Sequence, residues 1–232
     1  MKCVGVVGFS GAGQKRLMTE LSQELRRRTY QVAVVECVAG LNDDTVTKTD
    51  ITDNWSRAVV TCFPDKSVFS FGQSMSLDDV LAHLDVDYAL INGFQEDKSY
   101  PRIVMMDDPS KEKESFDGLE IACYGKAQPS RLPMTQNITQ LVDIIEEKSF
   151  KLPNLNCEAC GFESCYAFAK EMIKGNRPLD DCVSLNPKVT IEIDGTSLPM
   201  NPFISGIVEK TIRALVSSFK GYKKGPIKVT IG

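Results

Sequence analysis

Four cysteines in the second half of the chain, Cys157, Cys160, Cys165 and Cys182, constrain it more than any other feature. Their spacing, C-x2-C-x4-C-x16-C, lets all four converge on one centre. Two tight turns would hold the first three thiolates, and a helical excursion would return the fourth. Cys165 opens a helical run over Tyr166–Lys174 that is ended by GNRP at 175–178, and a thiolate at a helix N-terminus is stabilised as the anion. Gly161, directly after Cys160, allows the backbone to close around a bulky group with no Cβ in the way. Four such thiolates hold an iron–sulfur cluster. Structural zinc also takes four cysteines, usually as two close pairs. One close pair, a third cysteine at x4 and a distant fourth suit the corners of a 4Fe-4S cubane better than two zinc knuckles. Zinc and unliganded structural cysteines stand as the alternatives.

The run NCEACGFESCYAFAKEMIKGNRPLDDC at 156–182 resembles the small cluster-binding module of corrinoid iron–sulfur proteins and of membrane-bound electron-transfer subunits of anaerobes. That resemblance implies one 4Fe-4S cluster on Cys157, Cys160, Cys165 and Cys182, with electron transfer or redox poising as its use.

At 232 residues the chain has room for one medium domain and a smaller one. A formal net charge of −4 argues against general nucleic-acid binding, which carries a basic footprint. The apolar stretch after Met1 is short and runs into glycines, unlike a secretory leader, and no run reaches the length of a membrane span. Eight cysteines without a secretory signal fit metal chemistry in a reducing compartment, so a cytoplasmic protein is expected.

The N-terminal part has a strand–turn–helix pattern. An apolar run over 3–8 is followed by FSGAGQKR at 9–16 and by Leu17, Leu21 and Leu25 at helical spacing, ending near Arg28. This is the context a phosphate-binding loop requires. The strand expected over 31–36 completes a β-α-β unit and predicts a mostly parallel sheet with flanking helices. Further strands are expected over 88–91, 102–106 and 119–123. Ser76 is placed to cap a short amphipathic helix whose His83 faces water, residues 107–118 read as a surface loop, and a last helix runs over 140–147. The candidate phosphate loop comprises Gly8, Ser10, Gly11, Ala12, Gly13, Gln14, Lys15 and Arg16. With Gly8 and Gly13 on the two glycines of G-x4-G-K-[ST], Gln14 falls where a lysine neutralises the β and γ phosphates, and Lys15 where a hydroxyl holds Mg²⁺. GTP is a candidate ligand of this loop, and an independent NTPase is not expected. The alternative is a glycine turn kept for close strand–helix packing.

Residues 1–150 resemble the MobB family, P-loop accessory proteins of molybdopterin-guanine dinucleotide synthesis, through GVVGFSGAGQKRLMTELSQEL, the order VDYALINGFQ…YPRIV, and Leu132-Pro133 before the last helix. The resemblance implies the P-loop fold and binding of a guanine nucleotide. The chain departs from the family at Gln14 and Lys15, at Asn92-Gly93-Phe94-Gln95 in place of an acidic E-G-F-K, and at Glu36 and Cys37 in place of histidines. Each departure removes a phosphate, metal or water-positioning group. Of the remaining cysteines, Cys3, Cys37, Cys62 and Cys123, the second and fourth fall near strand ends where open α/β sheets place ligands. Burial as small hydrophobes is the ordinary reading.

After a linker over 151–156 and the cluster module, alternation over 189–193 marks a half-buried strand and an Asp194-Gly195 turn. Pro199 and Pro202 bracket the entry to a helix with Phe203, Ile207, Thr211, Leu215 and Phe219 on one stripe and Ile204, Val208, Ile212 and Val216 beside it. A last strand is expected over 227–231. This segment is read as a small α/β unit beside the cluster, and its tail resembles those of MobB-like proteins from archaea and other anaerobes. Six basic residues against Glu209 between 203 and 232 suit either a solvated face or the docking of an acidic partner. Three parts follow: a degenerate P-loop domain over 1–150, a 4Fe-4S module over 151–186 and a docking unit over 187–232. The function expected is an iron–sulfur accessory protein of metallocofactor assembly or enzyme maturation in an anaerobe, carrying electrons within a multiprotein complex. The alternatives are a GTP-binding accessory protein of molybdopterin-guanine dinucleotide synthesis and a structural adaptor stapled by its metal.

Overall fold

The computed structural model describes residues 1–8, 11–37, 58–62, 67–71, 73–106, 116–125, 132–186, 189–193, 196–198 and 200–229. Trp55 and Arg57, Asp194-Gly195, Pro199 and most of the loop expected over 107–118 lie outside them.

A sheet of six parallel strands organises the first 150 residues. The strands are β1 (Lys2–Gly8), β2 (Val32–Glu36), β5 (Tyr88–Asn92), β6 (Arg102–Met106), β7 (Glu120–Gly125) and β8 (Met134–Thr135), in the order β2-β5-β1-β6-β7-β8. Parallel strands are covered on both faces, so their sequences are continuously apolar. Their side chains nevertheless alternate. Val4 and Val6 of β1 enter the core on one face, and Cys3 enters the core on the other.

Helix α1 (Gly11–Arg27) and helix α3 (Ile138–Lys148) cover the first face. Leu17, Leu21 and Leu25, a turn apart on α1, pack with Leu141, Val142 and Ile145 against Leu90 and Ile103. The short helix α2 (Leu77–Leu81) lies on the second face, where Leu77 and Leu81 meet Ala89, Ile91 and Tyr100. Ser76 starts it with a capping box: its side chain accepts from Asp79 N, and the Asp79 carboxylate accepts from Ser76 N. The Asn137 side chain caps α3, accepting from Thr139 N and Gln140 N. A separate antiparallel hairpin pairs β3 (Ala58–Cys62) with β4 (Ser67–Phe71). His83 is exposed, as expected, and its ring stacks on Phe71 at 5.5 Å.

The stretch over 151–156 is more than a linker. Cys3 forms an isolated bridge with Phe150, Leu152 N donates to Ser99 O at 2.8 Å, and Phe150 and Leu152 are buried. The Lys151 ammonium pairs with Asp78 at 2.6 Å and donates to Ser99 Oγ at 2.7 Å. Helix α4 (Cys165–Ile173) follows, its Phe168 and Ala169 packed with Leu119, Phe150 and Leu152.

The C-terminal segment differs from expectation. Its hairpin is two residues per strand, β9 (Glu192–Ile193) with β10 (Thr196–Ser197). Helix α5 (Pro202–Ser217), capped by Asn201, buries only Ser205 and leaves Phe203 73% and Leu215 58% exposed. The strand expected over 227–231 is not formed over its described part, 227–229. Alternation alone does not make a strand.

Candidate cluster centre and phosphate loop

The backbone before the cysteines turns sharply. Asn154, Asn156, Glu158 and Gly161 all have positive φ, at 52°, 45°, 57° and 85°. Asparagine and glycine tolerate this region, whereas glutamate does so at a cost, and such concentrations of unfavourable backbone mark functional loops. Nothing lies within 4 Å of where a Gly161 Cβ would be, so within the chain glycine is needed there for its φ and not for close packing. Asn156 Oδ1 accepts from Cys165 N at 2.8 Å, and Ser164 caps α4 by accepting from Ala167 N at 3.1 Å. These bonds fix Cys165 at the first position of the helix.

Cys165 and Cys182 are buried together in the core formed by Leu119, Phe150, Leu152 and Phe168, with Cys160 packed against it. Cys182 follows the 3-10 turn Leu179–Asp181. Burial pushes its thiol up, and Cys165 and Cys160 nearby push it further, while the amides of Leu185 and Ser184 act in the opposite direction. Cys157 Sγ lies 3.3 Å from Ser184 Oγ, two residues beyond Cys182. The fold thus brings Cys160, Cys165 and Cys182 to one core and sets Cys157 beside Ser184, two residues from Cys182.

Among the described residues no group of three His, Cys, Asp or Glu is arranged to hold a single metal ion. Four thiols, half-buried to buried, are the donor set that an iron–sulfur group takes. Cys157, Cys160, Cys165 and Cys182 would hold it.

A polar network supports the module from below. Arg102, buried at the start of β6, donates to Asp117 Oδ2 at 3.0 Å and to the carbonyls of Gln95 and Asp97 at 2.7 and 3.0 Å. Glu120 accepts from the N–H groups of Asp117 and Gly118 at 2.7 and 2.9 Å. Burial raises the Glu120 carboxyl; Asp117 is held low because Lys98 and Arg102 outweigh the effect of its own burial. Tyr166, next to Cys165, donates its hydroxyl to Asp117 O. Sequence reading missed this network, because its members are dispersed and only the β6–β7 register brings them together.

The phosphate loop is at the other end of the sheet. β1 lies between β5 and β6, so the crossover direction reverses there, and ligands of open α/β sheets bind at the C-terminal edge of such a point. Gly8 ends β1 and α1 begins at Gly11; a Cβ on Gly8 would come within 2.7 Å of Met105 Cβ. Ser10 lies outside the described residues. Gly11 and Ala12 are exposed in the first turn of α1, beside Gly13. Gln14 is buried and donates its amide to Gly8 O at 3.0 Å, drawing the loop closed on itself. Lys15 is exposed, and Arg16 pairs with Glu20 at 2.8 Å, one turn further along the helix. Of the other cysteines, Cys3 and Cys123 are buried, as small hydrophobes are, whereas Cys37 and Cys62 are exposed. Burial pushes the Cys3 thiol up to about 12.

Comparison with known proteins agrees with both parts. Residues 152–184 match a family model described as "Putative Fe-S cluster". The chain is 30% identical over 95% of its length, and 93% of the relative's, to a "Putative molybdopterin-guanine dinucleotide biosynthesis adapter protein" of Methanocaldococcus jannaschii. It is 31% identical over 88 residues, 33% of this chain and 47% of the relative, to a component of the ion-translocating oxidoreductase complex of Rhodobacter capsulatus. Among solved structures, molybdopterin-guanine biosynthesis protein B (mobB) superposes on 62% of this chain and 97% of its own with a TM-score of 0.52 at 21% identity. The Bacillus subtilis MobB does so on 62% and 98%, with a TM-score of 0.52 at 15% identity. At such identities these superpositions establish the P-loop fold of the sheet domain. No helix among the described residues is long and apolar enough to cross a membrane.

Proposed function

We propose, from the premise that this chain belongs to the molybdopterin-guanine dinucleotide biosynthesis adapter family, that it is an iron–sulfur accessory protein of metallocofactor assembly whose 4Fe-4S cluster carries electrons and whose phosphate loop does not hydrolyse nucleotide. The observation that carries this reading is the contrast between the two ends of the sheet. At one end Cys160, Cys165 and Cys182 share a core, Cys157 touches Ser184 Oγ, and the amides of Ser184 and Leu185 lie beside Cys182, the kind of surroundings that tunes a cluster's potential. At the other, a neutral amide satisfied by Gly8 O replaces the phosphate-neutralising lysine, and Arg16 is engaged with Glu20. Phosphoryl transfer depends on positioned cations and a bound metal. Among the described residues of this loop, Gln14 carries no charge and Arg16 is turned to Glu20.

A second reading, an adapter that still holds guanine nucleotide without turning it over, is favoured by the retained strand–loop–helix geometry after β1. A helix N-terminus alone attracts phosphate. The test is anaerobic purification of the full chain with iron and acid-labile sulfide quantified, electron paramagnetic resonance after dithionite reduction, and GTP turnover measured on the same sample. About four iron and four sulfide per chain, a reducible cluster and no turnover are expected. Stoichiometric zinc without iron would refute the cluster, and GTP turnover abolished by Lys15→Ala would refute the inactive loop.

A further inference from the structure

The four thiols are not equally covered: Cys165 and Cys182 are buried, while Cys157 and Cys160 are half-exposed. The side carrying Cys157 and Cys160 is therefore the one on which a bound cluster would come nearest to solvent. Three large apolar residues lie around that side. Leu155 precedes Cys157 by two positions, and Val183 and Leu185 flank Ser184, whose hydroxyl touches Cys157 Sγ. They are 42%, 39% and 40% exposed. The turn that presents them is closed by Leu185 N and Asn186 N donating to Cys182 O at 3.1 and 3.2 Å.

Among the described residues, the exposed charges of this module that no ion pair engages are acidic. Glu158, Glu163 and Asp180 are exposed, and no ion pair engages them among the described residues. The cations of the same module have partners of their own: Lys174 pairs with Glu171, Arg177 pairs with Asp181 and lies over the Phe162 ring, and Lys170 lies over the Tyr166 ring. An apolar centre with a charged rim is the anatomy of a transient protein interface, and unpaired rim charges act mainly on the rate of encounter.

We propose that the face formed by Leu155, Val183 and Leu185 and rimmed by Glu158, Glu163 and Asp180 docks a small redox protein that carries a basic rim around its own exposed centre. The proposal rests on the cluster reading above. One electron passes per encounter: the reduced cluster is oxidised by one electron, and the partner's centre is reduced by one, with no proton or bond exchanged. A basic rim is required because the local charge left uncompensated is acidic. An acidic partner, or the acidic remainder of a second copy, would be repelled.

The test uses the full chain loaded anaerobically with its cluster, reduced, freed of dithionite and mixed in stopped flow with ferricytochrome c, a small basic haem protein. Ferricyanide, a small anion, serves as the control acceptor. At low salt the cytochrome reaction should be fast and should slow steeply as salt is added, as electrostatic steering requires. Glu158→Lys/Glu163→Lys/Asp180→Lys should slow it by about tenfold or more, while the ferricyanide reaction should become faster. Leu155→Ser/Leu185→Ser should slow the cytochrome reaction with its salt dependence kept. Iron content and the resonance spectrum establish that each variant retains its cluster. An unchanged cytochrome rate in the triple charge reversal, with the cluster intact, would overturn the docking face and leave the cluster reading standing. So would a concentration-dependent dimer that the triple reversal dissolves, because the occupant would then be the basic α5 of a second copy. A chain that binds no iron would overturn both.

Discussion

At position 14 lies one of the two side chains that separate this chain from an ordinary phosphate loop. A lysine there would bring a positive charge to the bound phosphates, whereas the Gln14 amide is neutral and already donates to Gly8 O. A hydrogen bond to a charged group is worth about 1.5–3 kcal/mol, which corresponds to about tenfold or more in affinity. Gln14→Lys/Lys15→Thr rebuilds both the cation and the metal-binding hydroxyl. Its affinity for Mg·GTP by titration calorimetry is expected to exceed that of the parent by about tenfold or more, and an unchanged affinity would show that the loop is blocked for some other reason. The loss of the lysine was legible in the sequence, because the glycines fix the frame. The Gln14–Gly8 bond was not, because it depends on where a buried side chain turns. The cluster module was the easier case: covalent spacing limits how far four thiols can separate, and residues 152–184 match an iron–sulfur family model.

Among the elements, the helices of the sheet domain and all its strands but the two-residue β8 were readable from their periodicity. The stretch over 151–156 was not, since its polar and proline-containing sequence resembles a connector. Leu152 is nevertheless fully buried between the sheet and α4, and Leu152 N is bonded to Ser99 O. Leu152→Ala is expected to cost about 2–5 kcal/mol in urea unfolding and to accelerate loss of iron to a chelator, because the same cavity undermines the packing behind Cys165 and Cys182. A stability change without faster iron loss would show that the module stands independently of the sheet. Helix α5 shows the opposite limit. Its periodicity and Pro202 start were plain, yet the apolar stripe that predicts burial faces solvent. A pattern in sequence specifies that a face wants covering, and says nothing of whether the cover belongs to the same chain.

For the molecule as a whole, the two sites lie at opposite edges of one sheet. β1 begins beside the cluster module, through Cys3 and Phe150, and ends at the phosphate loop, through Gly8. Its seven residues at about 3.3 Å each put roughly 20 Å between the two ends. Neither site can touch the other's ligand. Removing the iron from the Gln14→Lys/Lys15→Thr chain with a chelator should therefore leave its affinity for Mg·GTP within about twofold, below the fivefold or more that allosteric coupling usually gives. A larger change would reveal coupling carried by the sheet itself. The bridge between Cys3 and Phe150 also sets an order of events at the ribosome. A chain made from its N-terminus supplies residue 150 only after all six parallel strands have emerged, and the four thiols come later still. The wall of Leu119, Phe150 and Leu152 against which Cys165 and Cys182 are buried is thus synthesised before either of those thiols.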